Sequence, residues 1–399
     1  MIIKLLVFIS KILTLPFWYV QKYLPRNKKI WLFGAGSGML YFDNAKWLFE
    51  YVLTNEKHIN AVWITRSRDV YKKLKSEKKP VYLTNSIKGI YYSLRAGLIF
   101  INNHPKDLNC RAINGAMQFW LWHGLMMKQI GEDARLFSMQ KNGIKTKLFQ
   151  LFQEFIYPEL SYKPDYVINT SVFFTPFFCS AFNLSPEKVL ITGYPRNDGL
   201  FLSEKESFIA DLDNRFDHPV KVLYLPTWRD SLLNKGLSFN PFDSYNFDIL
   251  QFSEVLKVTN TVFLFKGHDF QNININSDTL YERFFNLNDH IYSDLYNLIK
   301  DVDVLITDYS SIYFDFLLTG KPIILAPFDY ENYTTQSRPL YYDYSKEIEG
   351  VKASNWSEVF EIIRNKSYYK PSIETVQKFH KYNDNLSCKR VTEKVFQLV

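Results

Sequence analysis

Ile306-Thr307-Asp308-Tyr309-Ser310-Ser311-Ile312-Tyr313-Phe314-Asp315-Phe316 is the stretch on which the fold turns. An apolar run from Val302 to Ile306 reads as a strand and ends in Thr-Asp. Two adjacent serines follow, and then an amphipathic helical pattern starts. A strand feeding a helix through a short polar turn is half of a βαβ unit, the building block of a parallel sheet covered by helices. The turn sits at the C-terminal edge of that sheet, where open α/β folds bind their ligands. Two hydroxyls and the free backbone N–H groups of a helix start suit a phosphate. Plain capping explains the same residue types, because Asp and Ser are favoured N-caps. The rest of the chain has to decide between the two.

Outward from this stretch the same alternation recurs. Ile30–Gly34, Ala61–Ile64, Leu98–Ile101, Phe119–Trp122, Tyr166–Asn169 and Val189–Thr192 read as strands, with helical patterns such as Asn44–Leu53 and Val70–Lys75 between them. A polar, charged stretch then interrupts, and the pattern restarts with Val220–Leu225, Val262–Phe265, Val304–Thr307 and Ile323–Ala326. The fold class is therefore α/β, with two Rossmann-like halves. The expected organisation is an amphipathic segment 1–29, a first domain 30–202, a linker 203–219, a second domain 220–370 and a helical segment 371–399.

Length and charge narrow the function. The 399 residues suffice for two domains with separate cores. The net charge of +7 suits an anionic partner such as a nucleotide or an acidic membrane surface. Nucleic acid is not expected, because no run of Lys and Arg with interleaved aromatics marks a binding face. Cys110, Cys179 and Cys388 are far apart and lack metal spacing, so they form no disulfide framework and fit a reducing compartment.

Met1 to Leu24 is apolar except for Lys4, Ser10, Lys11, Thr14, Gln21 and Lys22, which fall on a narrow helical stripe. A cleaved signal lacks a small-residue cleavage site. A spanning helix is interrupted by Lys4, Lys11 and Pro16. A helix lying in the membrane interface fits best, with Arg26, Lys28 and Lys29 meeting anionic headgroups. A spanning anchor and a buried core helix stay open as alternatives.

Several strand ends carry chemistry. Phe119-Trp120-Leu121-Trp122-His123-Gly124 ends a buried strand in His-Gly, with Lys128 in the same loop. A histidine suits a general base near neutral pH; a structural histidine bonded to a carbonyl is the plainer explanation. Val262-Phe263-Leu264-Phe265-Lys266-Gly267-His268 repeats the pattern in the second half. Tyr224-Leu225-Pro226-Thr227-Trp228-Arg229-Asp230 adds a hydroxyl and a guanidinium for phosphate oxygens. Arg196, in Gly193-Tyr194-Pro195-Arg196-Asn197-Asp198, and Arg338 are further cations for an acceptor or a phosphate. Gly34-Ala35-Gly36-Ser37-Gly38 has its third glycine too early for a dinucleotide fingerprint. No His/Cys/Asp/Glu grouping has metal spacing, and no metal or cofactor is expected.

Taken together, these pieces resemble the CDP-glycerol glycerophosphotransferase family of wall teichoic acid synthesis. The resemblance rests on Asp43-Asn44-Ala45-Lys46, Trp122-His123-Gly124 with Lys128, Gly193 to Asp198, Pro226 to Asp230, Lys266-Gly267-His268, and Thr307 to Ser311 with Asp315, in the family's order. It implies a GT-B fold, two Rossmann-like domains facing a central cleft with the donor held mainly by the second. It implies transfer of glycerol or ribitol phosphate from a CDP-alditol to a hydroxyl of a lipid-linked saccharide or polymer, with release of CMP. The products would be teichoic acid or a related capsule polymer, made by a peripheral enzyme on the cytoplasmic face of the membrane. His123 and His268 become the catalytic pair, with His123 the base. Thr227, Arg229, Lys266, Asp308, Ser310, Ser311 and Asp315 become donor ligands. The chain departs from the family at Leu125-Met126, where Thr-Pro is usual, and at Asp269, where Pro is usual. A GT-B glycosyltransferase using a nucleotide sugar and a non-catalytic membrane-bound scaffold are the competing readings.

Overall fold

Two parallel sheets organise the chain in the computed structural model, which describes residues 15–142, 152, 155–158, 164–227, 240–267, 282–289, 294–336 and 339–399. The first sheet contains β1 (Asn27–Gly34), β2 (Asn60–Thr65), β3 (Val81–Leu83), β4 (Ala96–Ile101), β5 (Met117–Trp120), β6 (Tyr166–Asn169) and β7 (Val189–Ile191). Its order is β3-β2-β1-β4-β5-β6-β7. The second contains β8 (Val220–Leu225), β9 (Thr261–Phe265), β10 (Phe284–Asn286), β11 (Val304–Thr307), β12 (Ile323–Leu325) and β13 (Val351–Lys352), in the order β10-β9-β8-β11-β12-β13. Both orders reverse next to the first strand of the sheet, between β1 and β4 and between β8 and β11. That reversal is the doubly-wound Rossmann arrangement, and it opens a crevice beyond the strand ends at the reversal point.

Central strands of such sheets are covered on both faces and read as unbroken apolar runs. β4 and β9 are buried at every residue. The many aromatic residues have a specific use here. Phe33, Phe100, Phe119 and Tyr166 occupy paired positions on β1, β4, β5 and β6 and stack in sequence at 4.9, 5.3 and 5.1 Å between ring centroids. Aromatic pairs of this kind contribute about 0.5–1.5 kcal/mol each beyond burial. In the second sheet Trp356 packs on Tyr224, Phe242 and Phe360, and its indole N–H donates to the Pro241 carbonyl at 2.8 Å.

The chain divides into two compact units. One gathers the described residues up to His123, Ile130–Asp198 and Leu386–Val399; the other gathers Gly124–Gln129 and Gly199–Asn385. The stretch 203–219, expected as a linker, carries the helix Ser207–Phe216 and lies in the second unit. Asp213 of that helix pairs with Lys205 and with the buried Lys221 on β8. The segment 371–399 is shared out. Its helix Ile373–Phe379 stays with the second unit, while the helix Ser387–Leu398 returns to the first. There Phe396 lies against Trp31 of β1.

Most of the expected N-terminal helix lies outside the described residues; a helical stretch at 15–20 remains. It is tied to the first unit. The Trp18 indole N–H donates to the Cys110 carbonyl at 3.3 Å, and Gln21 donates to the Arg111 carbonyl at 2.6 Å. Arg26 does not meet headgroups as expected. Its guanidinium turns inward onto the carbonyls of Ser93 and Asn114, and burial together with Arg95 pulls its pKa down to about 10. Phe17, Tyr19, Val20 and Tyr23 remain exposed. Among the described residues no helix is long and apolar enough to cross a membrane.

Candidate active site

His123 lies two residues further from its strand than the sequence suggests. β5 ends at Trp120, and Trp122 then adopts a left-handed backbone, φ +55°. A bulky residue there is strained. The freed carbonyls explain how the turn is held: the Asn44 side-chain amide donates to Leu121 O at 3.1 Å and to Trp122 O at 2.9 Å. Asn44 is fully buried in the first turn of the helix Asp43–Asn55. Its own side-chain oxygen accepts the Arg196 backbone N–H at 3.1 Å.

Arg196 was expected to meet an acceptor or a phosphate. It is 3% exposed, and its Nη1 donates to Asp43 Oδ1 at 2.7 Å and to the His123 carbonyl at 2.8 Å. The His123 ring is exposed and leans on the Trp122 ring, with centroids 4.5 Å apart. Its pKa is lowered. Crowding by protein is the largest cause, opposed by the Asp43 carboxylate, assisted by the Arg196 guanidinium and opposed by a bond to the Asn102 backbone. Solvent reaches the ring, so water screens part of this effect. A lowered pKa keeps the imidazole neutral near pH 7. A ring N–H held by a backbone carbonyl leaves the other nitrogen as the proton acceptor.

The second sheet presents its own cluster at the β8/β11 reversal. Thr227 follows β8, and Asp308, Ser310 and Ser311 follow β11. Asp308 is buried, and one of its oxygens accepts the backbone N–H and the hydroxyl of Thr227 and the N–H of Tyr309. This expected donor ligand therefore fastens the two strand ends together. The helix Ile312–Leu317 spans only 6 residues, so its dipole is small and the hydroxyls matter more. Ser311 makes no side-chain cap hydrogen bond, and the Ser310 hydroxyl accepts from Ile312 N–H at a long 3.4 Å. Both serines are half-buried. Capping therefore accounts poorly for the pair.

The remaining expected residues separate. Asp315 is 1% exposed and accepts the Tyr296 hydroxyl at 2.8 Å, which places it in the core. Lys266, beyond β9, donates to Asn288 at 3.0 Å. Lys128 lies 4.3 Å from the centre of the Tyr333 ring, and Tyr333 stacks on Tyr309 at 3.8 Å. Arg229, His268 and Arg338 lie outside the described residues. In the glycine loop after β1, the Ser37 N–H donates to Asp107 at 2.7 Å, so that loop closes on the protein's own carboxylate.

Comparison with known proteins agrees with this architecture. The family model described as CDP-glycerol:poly(glycerophosphate) glycerophosphotransferase matches residues 17–397. A teichoic acid glycerol-phosphate transferase of Staphylococcus aureus is 28% identical over 383 residues, covering 93% of this chain and 94% of that protein. A teichoic acid poly(glycerol phosphate) polymerase of Bacillus spizizenii is 29% identical over 372 residues, covering 90% and 88%. The solved structure of the wall teichoic acid polymerase TagF, in its H548A form, superposes with a TM-score of 0.73 at 20% identity, covering 99% of this chain and 95% of that one. That likeness establishes a shared fold of two Rossmann-like domains. With nearly its whole length matched by the family model, the chain belongs to the CDP-glycerol:poly(glycerophosphate) glycerophosphotransferase family.

Proposed function

We propose that the protein transfers glycerol phosphate from CDP-glycerol, or ribitol phosphate from CDP-ribitol, to a hydroxyl of a lipid-linked saccharide or polymer. Family membership makes CDP-alditol phosphotransfer in teichoic acid synthesis the reaction class. The acceptor oxygen attacks the β-phosphorus, a new P–O bond forms, and the bond to the α-phosphate oxygen breaks, releasing CMP. His123 takes the acceptor's proton. The hydroxyls of Ser310, Ser311 and Thr227, with Lys266, Arg229 and His268, hold the diphosphate and offset the charge gathering on CMP. Such transfer depends on positioning and charge neutralisation more than on covalent help.

The observation that carries this reading is His123 itself. It has an exposed ring just beyond a strand end and a pKa held below the ordinary histidine value. The two serines at the reversal point of the second sheet, Ser311 without a cap bond and Ser310 with a long one, support the donor side. The exposed Phe17, Tyr19, Val20 and Tyr23 support a peripheral place on an anionic membrane surface, at its cytoplasmic face where CDP-alditols would be met. The test is CMP release by the purified protein with a membrane-borne acceptor. CDP-glycerol and CDP-ribitol are the donors, and UDP-sugars the control. Turnover of a UDP-sugar with no CMP release would move the protein to the glycosyltransferases.

A further inference from the structure

We propose that Asp43, Asn44 and Arg196 are positioning residues, a buried clamp that fixes the His123 loop and sets the charge His123 carries. The inference rests on the reading of His123 as the base. Asn44 has both side-chain polar atoms committed: its amide to two carbonyls immediately before His123, its oxygen to the Arg196 N–H. Arg196 then grips the His123 carbonyl itself. The clamp therefore holds three successive carbonyls, from Leu121 to His123, and leaves the ring outside.

Two features say that the arrangement is held against a cost. Trp122 and Asp43 both have left-handed backbones, φ +55° and +62°. Each costs about 1–3 kcal/mol and persists only where its surroundings over-determine it. The Asp43–Arg196 pair has side chains 7% and 4% exposed. Desolvation makes a buried pair weak evidence for stability, while losing one partner leaves an unpaired buried charge. Arg196 bonds Asp43 and the His123 carbonyl through the same nitrogen, so the pair is built into the turn that carries the ring. The two charges push the His123 pKa in opposite directions, Asp43 upward and Arg196 downward.

The test removes them one at a time. D43N keeps the side-chain shape and deletes the negative charge. R196Q deletes the positive charge and leaves Asp43 unopposed. His123 is followed by NMR titration of the protein's seven histidines, assigned with H123Q, and by the acidic limb of kcat/KM for CMP release. D43N should move the His123 titration and the acidic limb to lower pH, and R196Q should move both to higher pH. The expected displacement is about half a pH unit, roughly threefold in rate along the limb. A pair serving only stability would lower the melting temperature and leave the titration in place. A His123 titration unmoved in both folded variants, or moved the same way, overturns the clamp. Opposite titration shifts with an unmoved kinetic limb keep the clamp and remove His123 as the base. Should R196Q not fold, R196K takes its place. A fall in kcat with KM for CDP-glycerol and the titration unchanged supports the clamp, and full kcat overturns it.

Discussion

Thr227 gives both its backbone N–H and its hydroxyl to one oxygen of Asp308. The two residues stand 81 positions apart, and the contact fastens the end of β8 to the end of β11 at the reversal point of the sheet. A buried acceptor lost from such a place leaves N–H groups unpaired, at about 1–3 kcal/mol. Asp308→Ala should therefore lower the melting temperature by several degrees and weaken CDP binding. Thr227→Val keeps the N–H bond and should cost only about 1 kcal/mol. Differential scanning calorimetry and titration with CDP separate the two; equal effects would mean that the hydroxyl carries the joint.

On the proposed reading the paired serines bear on the donor. Ser310→Ala with Ser311→Ala removes two hydroxyls that capping leaves nearly uncommitted. Each hydrogen bond to a charged group is worth about 1.5–3 kcal/mol. The double variant should bind CDP at least tenfold more weakly by calorimetry, with an unchanged melting temperature. A cap would show the reverse, unchanged affinity and lost stability.

Asp198 acts elsewhere, as a remote cap. Its two oxygens accept the N–H groups of Ser387 and Cys388, each at 2.9 Å, at the start of the C-terminal helix. The residue before that helix supplies no side-chain cap. Asp198→Ala should destabilise the first unit by about 1–3 kcal/mol. It should also raise hydrogen exchange in Ser387–Leu398 while leaving CDP binding intact. Unchanged exchange there would show that packing of Phe396 on Trp31 holds the helix without it.

How much of this was legible in the chain depended on range. Ten strands and the two-sheet architecture announced themselves through apolar runs set between helical patterns. β3, β10 and β13 did not: they are edge strands of 3, 3 and 2 residues left mostly half-buried or exposed, whereas β7 and β12, also 3 residues long, are mostly buried and lie in apolar sequence. Periodicity has nothing to measure in such pieces. The serines and His123 were visible as strand-end chemistry. The role of Arg196 was not, because its partner Asp43 lies 153 residues away and a turn arginine looks available for ligand. The burial of Asp315 against Tyr296 was illegible for a related reason, being a tertiary contact.

The N-terminal segment offers a graded test. Deleting residues 1–14 leaves the Trp18 and Gln21 anchors in place. Deleting 1–24 removes both and should lower the melting temperature as well. Phe17→Ser with Tyr23→Ser should reduce sedimentation with anionic vesicles and leave turnover of a short soluble acceptor unchanged. High salt should weaken vesicle binding of the intact protein, because exposed charges are screened. Full sedimentation of the double variant would place the membrane contact on another surface.

The central claim is that His123 takes the acceptor's proton, and His123→Ala tests it most directly. The measurement is acceptor-dependent CMP release from CDP-glycerol, paired with CDP-glycerol affinity of the same folded protein. Loss of a general base costs about 100- to 10,000-fold. The account predicts a fall of that size with affinity within about threefold of the parent, and in the parent an acidic limb of kcat/KM below the ordinary histidine value of about 6.5, since a lowered pKa keeps the base neutral further into acid. A folded His123→Ala protein that releases CMP at near the parental rate would contradict it.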